Sequence, residues 1–135
     1  MSVFDTLRIA SSGLTAQRLR MDIAASNLAN AQTTRTVAGG PYRAERVVFG
    51  PVQVGSSPSA TGVRGMAIVA PGGGDVRVFD PTHPDADAQG YVAYPNVDVA
   101  AELTDIMGAA RAYQVNATVA AAAKQTALDA LEIGR

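Results

Sequence analysis

The chain has 135 residues, with eleven basic and twelve acidic side chains for a formal net charge of −1, one histidine and no cysteine. That length holds one domain, with or without a subdomain. The charge gives no electrostatic case for nucleic acid or an anionic membrane surface, and the missing cysteines exclude disulfides and thiol chemistry while leaving the redox compartment unread. The first residues lack the basic, apolar and small-residue segments of a secretory leader. No window of about 18 residues is apolar enough to predict a transmembrane helix, so direct membrane insertion is not expected.

Proline and glycine punctuate the chain unevenly. All seven prolines lie between Pro41 and Pro95, and ten of the thirteen glycines between Gly39 and Gly90. Both residues break helices. The prediction is therefore an α+β protein: a helical segment over 1–34, a small β-rich subdomain with loops over 35–95, and a helix over 96–135 that pairs with the first in a coiled-coil-like stem.

The first segment repeats every seven residues at Leu7, Leu14, Met21 and Leu28, with Ala10, Gln17, Ala24 and Ala31 three residues after each. This makes one stripe on a helix from Val3 to Asn30, ~42 Å long. Gly13 is its weak point, where a bend or a tight contact is expected. The segment ends in Ala25-Ser26-Asn27-Leu28-Ala29-Asn30-Ala31-Gln32-Thr33-Thr34, a small, amide-rich patch with no charge. Small side chains allow close approach. Asn27 and Asn30 are expected to hydrogen-bond backbone or neighbouring helices, and a plain C-terminal cap is the simpler reading.

The middle predicts short strands at 42–49, 62–70, 76–79 and 91–94, rich in Val, Phe and Tyr, with loops at 55–61 and 70–75. The last segment carries a second stripe: Val99, Leu103, Ile106, Ala110, Tyr113, Ala117, Ala120, Lys124, Ala127 and Leu131, of which only Lys124 is charged. Spacings alternating between four and three over more than four repeats predict a coiled-coil-like helix from Val97 to Ile133, ~55 Å long. Ala112 to Ala123 carries no charge at all. A helix with one neighbour normally shows a charged outer face, so this one is expected to need partners on several sides. The bland alternative is an alanine-rich surface helix favoured by propensity alone.

No catalytic constellation emerges. His83, between Pro81 and Pro84, is a loop residue, and a single histidine without cysteine neighbours is a poor metal or catalytic candidate. Asp85, Asp87 and Gly90 do not complete a calcium loop, because Gln89 and Asn96 occupy ligand positions. Gly72-Gly73-Gly74 lacks the Lys-Ser/Thr of a phosphate-binding loop. No metal, cofactor or catalytic residue is predicted. Arg111 and Lys124 read either as a solvated rim or as partners for acidic residues of a neighbouring subunit.

Together these residues resemble a family. The helix ending in Ala25 to Ala31 is similar to the signature shared by bacterial flagellar rod and hook proteins. Three further stretches resemble the short proximal-rod members: Gly39-Gly40-Pro41-Tyr42-Arg43-Ala44 with Val47-Val48-Phe49; Asp80-Pro81 through His83-Pro84 to Gly90-Tyr91-Val92; and Pro95-Asn96-Val97-Asp98-Val99 with Glu102. So does Arg111-Ala112-Tyr113-Gln114-Val115-Asn116, where the family usually has Ala at position 115. The resemblance implies a structural subunit of the flagellar basal body that polymerises helically through its terminal helices into a torque-transmitting rod across the periplasm. It implies export without a cleaved signal by the flagellar type III apparatus. Its implied partners are copies of itself, other rod subunits and the membrane ring at the rod base. Assembly residues are then expected at Leu7, Leu14, Met21, Ala25, Asn27, Leu28 and Asn30, and at Val99, Leu103, Ile106, Ala110, Tyr113, Asn116, Ala117, Ala120 and Leu131. Another axial subunit, or a soluble coiled-coil adaptor or export chaperone, would use the same heptads.

Overall fold

The computed structural model describes residues 2–55 and 57–133. Two long helices, α1 (Val3–Ala29) and α2 (Val99–Ile133), flank strands β1 (Arg46–Gln53), β2 (Thr61–Val69), β3 (Val76–Phe79) and β4 (Tyr91–Tyr94). The α+β class expected from the punctuation is the class observed. A capping box starts α1: the Ser2 hydroxyl accepts from Phe4 N–H at 3.2 Å, and the Asp5 carboxylate accepts from Ser2 N–H at 3.0 Å. Each bond satisfies a donor that the first helical turn leaves free. Asp98 does the same for α2, its Oδ1 accepting from the N–H groups of Ala100 and Ala101.

The strands form two separate antiparallel pairs, β1–β2 and β3–β4. β1 begins four residues later than the sequence predicts and continues through Gly50 and Pro51, pairing Pro51 with Val63. In a two-stranded ribbon one side of each strand has no ladder, so a missing N–H there costs nothing. The register shifts between Val48 and Phe49, where Met66 is the extra residue. In the β3–β4 loop Gly90 has φ +82, and a Cβ there would press on the Phe79 ring at 2.9 Å. Phe79 in turn meets Tyr91 edge-on.

α1 is the spine. It packs against α2 along one side and against β2 and β1 along another, whereas α2 lies against no other regular element among the described residues. The α1–α2 seam is built from small side chains. Ala10, Gly13 and Ala24 are buried on α1, and Ala109 on α2. At Gly13 the approach is tight: a Cβ would stand 3.0 Å from the Asn116 carboxamide.

On α2 this seam runs through Glu102, Ala109, Asn116 and Ala123, joined by the half-buried Ile106, Ala120 and Ala127. With Ala110, four of the ten residues of the sequence-derived stripe therefore take part. The other six, Val99, Leu103, Tyr113, Ala117, Lys124 and Leu131, are exposed, and Leu103, Ala117 and Lys124 each lie one residue past a seam position. The offset puts Lys124 outside the seam. It lets alanines, rather than leucines, set the helix separation.

Candidate assembly surfaces

The amide-rich end of α1 acts first within the chain. Asn27 is 1% exposed. Its Nδ2 donates to the Glu45 carbonyl at 2.8 Å, while its Oδ1 accepts from Glu45 N–H at 2.8 Å and from the Tyr42 hydroxyl at 3.0 Å. The side chain thus pairs with both backbone groups of Glu45 as a neighbouring strand would, and holds the chain just before β1. All of its strong hydrogen-bonding positions but one N–H are used. Asn30 closes the helix: its Nδ2 donates to the Ser26 carbonyl at 2.9 Å and its Oδ1 accepts from the Thr33 hydroxyl at 3.2 Å.

A second anchor lies half a helix away. The Ser12 hydroxyl donates to Ile9 O at 2.7 Å and accepts from Val63 N–H at 3.1 Å, tying β2 to α1. Sequence reasoning identified neither Ser12 nor Glu45 and Tyr42 as partners, since nothing in local spacing marks a serine as the acceptor for a strand fifty residues away. The β3–β4 hairpin is tied through Asp85, which accepts from the Thr34 hydroxyl at 2.8 Å and pairs with Arg35 at 3.3 Å. His83 packs within this loop: its Nδ1 accepts from Asp85 N–H and its ring lies edge-on to Tyr94.

At the other end of the seam Arg20 grips Asp105 through two nitrogens, at 2.7 and 3.0 Å. Both side chains are substantially exposed, so the pair contributes under about 1 kcal/mol and serves mainly to fix helix register. A cavity of about 150 Å³ lies beside it, lined by Arg20, Arg46, Glu102 and Asp105 among others. Among the described residues no group of three or more His, Asp or Glu side chains could hold a metal ion, and no helix is long and apolar enough to cross a membrane.

The expected assembly residues divide into two sets. Leu7, Leu14, Met21, Leu28 and Asn30 on α1, and Ile106, Ala110, Asn116 and Ala120 on α2, are half-buried within the chain. Asn27 is fully committed inside it. Ala25, Val99, Leu103, Tyr113, Ala117 and Leu131 face outward. They join an extensive exposed apolar surface that includes Met107, Val115, Val119 and Leu128 on α2, and Met66, Ile68 and Phe79 on the strands. A compact monomer of this size would expose about 6,600 Å²; this chain exposes 8940 Å². The excess, about 2,300 Å², goes with the long two-helix stem and its exposed apolar flank.

Residues 7–35 match the family described as "Flagella basal body rod protein" and residues 88–133 the one described as "Flagellar basal body rod FlgEFG protein C-terminal". Curated relatives are similar along the whole chain. The flagellar basal-body rod protein FlgC of Escherichia coli O157:H7 is 42% identical over 100% of both chains. The FlgC proteins of Bacillus subtilis (39%, 100% of both) and Borreliella burgdorferi (38%, 98% of both) follow. The chain belongs to the FlgC family of flagellar basal-body rod proteins and is a structural subunit of the rod.

Proposed function

We propose that this subunit polymerises helically through the outward faces of its stem, together with copies of itself and other rod subunits, into the shaft that carries torque across the periplasm. The observation that carries the reading is the apolar flank of α2, uncovered in the single chain although most of the helix is already paired with α1. Val99, Leu103, Tyr113, Ala117 and Leu131, with Ala25 on α1, are the contact residues toward neighbours. Leu7, Leu14, Met21, Leu28, Ile106, Ala110 and Ala120 contribute the exposed half of their surfaces. Asn27, Asn30 and Asn116 act by shaping the subunit that assembles.

The same reading places the chain's delivery with the flagellar type III export apparatus and its lower contacts with the membrane ring at the rod base. It is a mechanical role and not a catalytic one, so His83→Ala is expected to assemble normally. Deletion of the gene in its own organism, with complementation, is the test. Loss of swimming, with basal bodies that stop at the membrane ring and are restored by the wild-type chain, is the expected result. Intact hook–basal bodies in the deletion strain would return the chain to the adaptor reading.

A further inference from the structure

The two helices of the stem do not end together. Gly13 lies against Asn116, Arg20 against Asp105, and Val3 and Thr6 share a shallow groove with Val119 and Thr126. The helices are therefore antiparallel, and the start of α1 is level with about residue 126. α2 runs on to Ile133, an overhang of ~10 Å at 1.5 Å per residue. Among the described residues no α1 turn covers this end: Leu131 is 70% and Ile133 87% exposed, and Leu128 nearly half. From Gln125 to Ile133 the segment carries Asp129 and Glu132 and no cation. Leu128 and Leu131 share one helix face, with the two carboxylates on the adjacent one.

A surface of opposite character lies elsewhere on the same chain. Between α1 and the β1–β2 hairpin runs an open groove of about 310 Å³, its walls made by Ala16, Leu19, Val52, Val54 and Val63, with Gly65 at its floor. Two guanidinium groups stand at it. Arg64 is part of the lining, and Arg8 reaches over to donate to the Val54 carbonyl at 3.4 Å.

We propose that the overhanging end of α2 of one copy seats in this groove of a second copy. Leu128 and Leu131 enter between α1 and the hairpin, and Asp129 and Glu132 meet Arg8 and Arg64. The inference rests on the reading of the chain as a polymerising rod subunit and adds which surfaces meet. An apolar contact supplies the attraction, and the charges at its rim choose orientation and register. Because end and groove are different surfaces, the contact is head-to-tail. It leaves a free end and a free groove at each step, which propagates unless a rotation closes the ring.

A benzophenone amino acid placed at Leu131, in the complemented deletion strain, tests this directly. After irradiation, adducts in purified basal bodies are mapped by mass spectrometry. Adducts on residues 12–19 or 52–65 of a second copy are expected. Adducts confined to other parts of the chain, or to a different basal-body protein, overturn the proposal while leaving the rod assignment intact. If the benzophenone variant does not support swimming, charge exchange decides. Asp129→Arg with Glu132→Arg, and Arg8→Glu with Arg64→Glu, each reduce swimming, and the four changes together restore it. Failure of the combination to restore swimming overturns the proposal. Rods that form without the gene would instead sink the assignment on which it rests.

Discussion

Gly13 and Asn116 meet across the helix seam so closely that the glycine's missing side chain is part of the contact. The Asn116 carboxamide is not free to swing away, since its Nδ2 donates to the Ala112 carbonyl at 3.0 Å. Gly13→Ala would gain about 1 kcal/mol of helix propensity and lose about 1–3 kcal/mol by overpacking. With three atoms of the carboxamide at 3.0 Å the packing loss dominates, and a net destabilisation of ~1 kcal/mol is expected in urea titrations followed by circular dichroism. Adding Asn116→Ala should recover most of it. A more stable Gly13→Ala chain would show that the seam has slack at this point.

Asn27 predicts a larger effect. Asn27→Leu strands both backbone groups of Glu45 and the Tyr42 hydroxyl, at about 1–3 kcal/mol for each one that water cannot reach. A total loss of ~3 kcal/mol is expected, with β1 amides exchanging early. Asn27→Asp keeps the acceptor but sets a buried carboxylate against the Glu45 carbonyl, which raises the pKa of that carboxyl in the folded chain. Stability of this variant should therefore be greatest below that pKa, where the protonated group can donate, and fall as pH rises through it. A variant equally stable at all pH values would mean that position 27 does not face a carbonyl.

Outward residues should separate folding from assembly. Ala117 is exposed, so Ala117→Asp should change the stability of the isolated chain by under about 0.7 kcal/mol, mostly through helix propensity. The same change puts an unpaired charge into a packed interface at a cost of several kcal/mol. Its basal bodies should stop early. Leu14→Asp, half-buried already within the chain, should lose both stability and assembly. Normal rods from Ala117→Asp would show that this flank of α2 is not an interface.

The β3–β4 loop should respond to acid on its own. The Thr82 hydroxyl, donating to Asp80, and the Tyr91 N–H, donating to Asp87, hold both carboxyls below the ordinary aspartate value. A depressed folded-state pKa contributes stability that is present above the ordinary value and is lost as pH falls through the depressed one. Carbon-detected NMR titration should show both groups protonating late, with the Thr82 and Tyr91 amides shifting in step. Thr82→Ala should move Asp80 upward and leave Asp87 in place; equal movement of the two would mean that the loop opens as a unit.

The helices and three of the four strands were legible because their signals are local. Proline is confined to 41–95, periodicity marks the flanks, and the Gly-, Pro- and Ser-rich stretches 55–61 and 70–75 mark loops. β1 was placed too early because Gly50-Pro51 reads as a break, and only its position in a ribbon with open edges makes proline harmless. The facing side of α2 was partly legible. A helix with apolar residues on several sides satisfies more than one seven-residue stripe, and periodicity does not say which stripe meets α1. That choice is made by long-range pairs, Gly13 with Asn116 and Arg20 with Asp105, whose members lie about a hundred residues apart. The role of Asn27 was legible in kind, as an amide that binds backbone. Its partner, Glu45, was not.

Since α1 alone touches both α2 and the strands, the subunit is mechanically a series linkage. In the proposed assembly, a twisting load applied to α2 reaches the β1–β2 hairpin mainly by way of α1. It leaves that helix through Arg8 to Val54, Ser12 to β2 and Asn27 to the chain ahead of β1. Ser12 and Asn27 stand fifteen residues apart, a lever arm of ~22 Å at 1.5 Å per residue. The torsional compliance of each subunit is then set largely by one helical segment, residues 12–27.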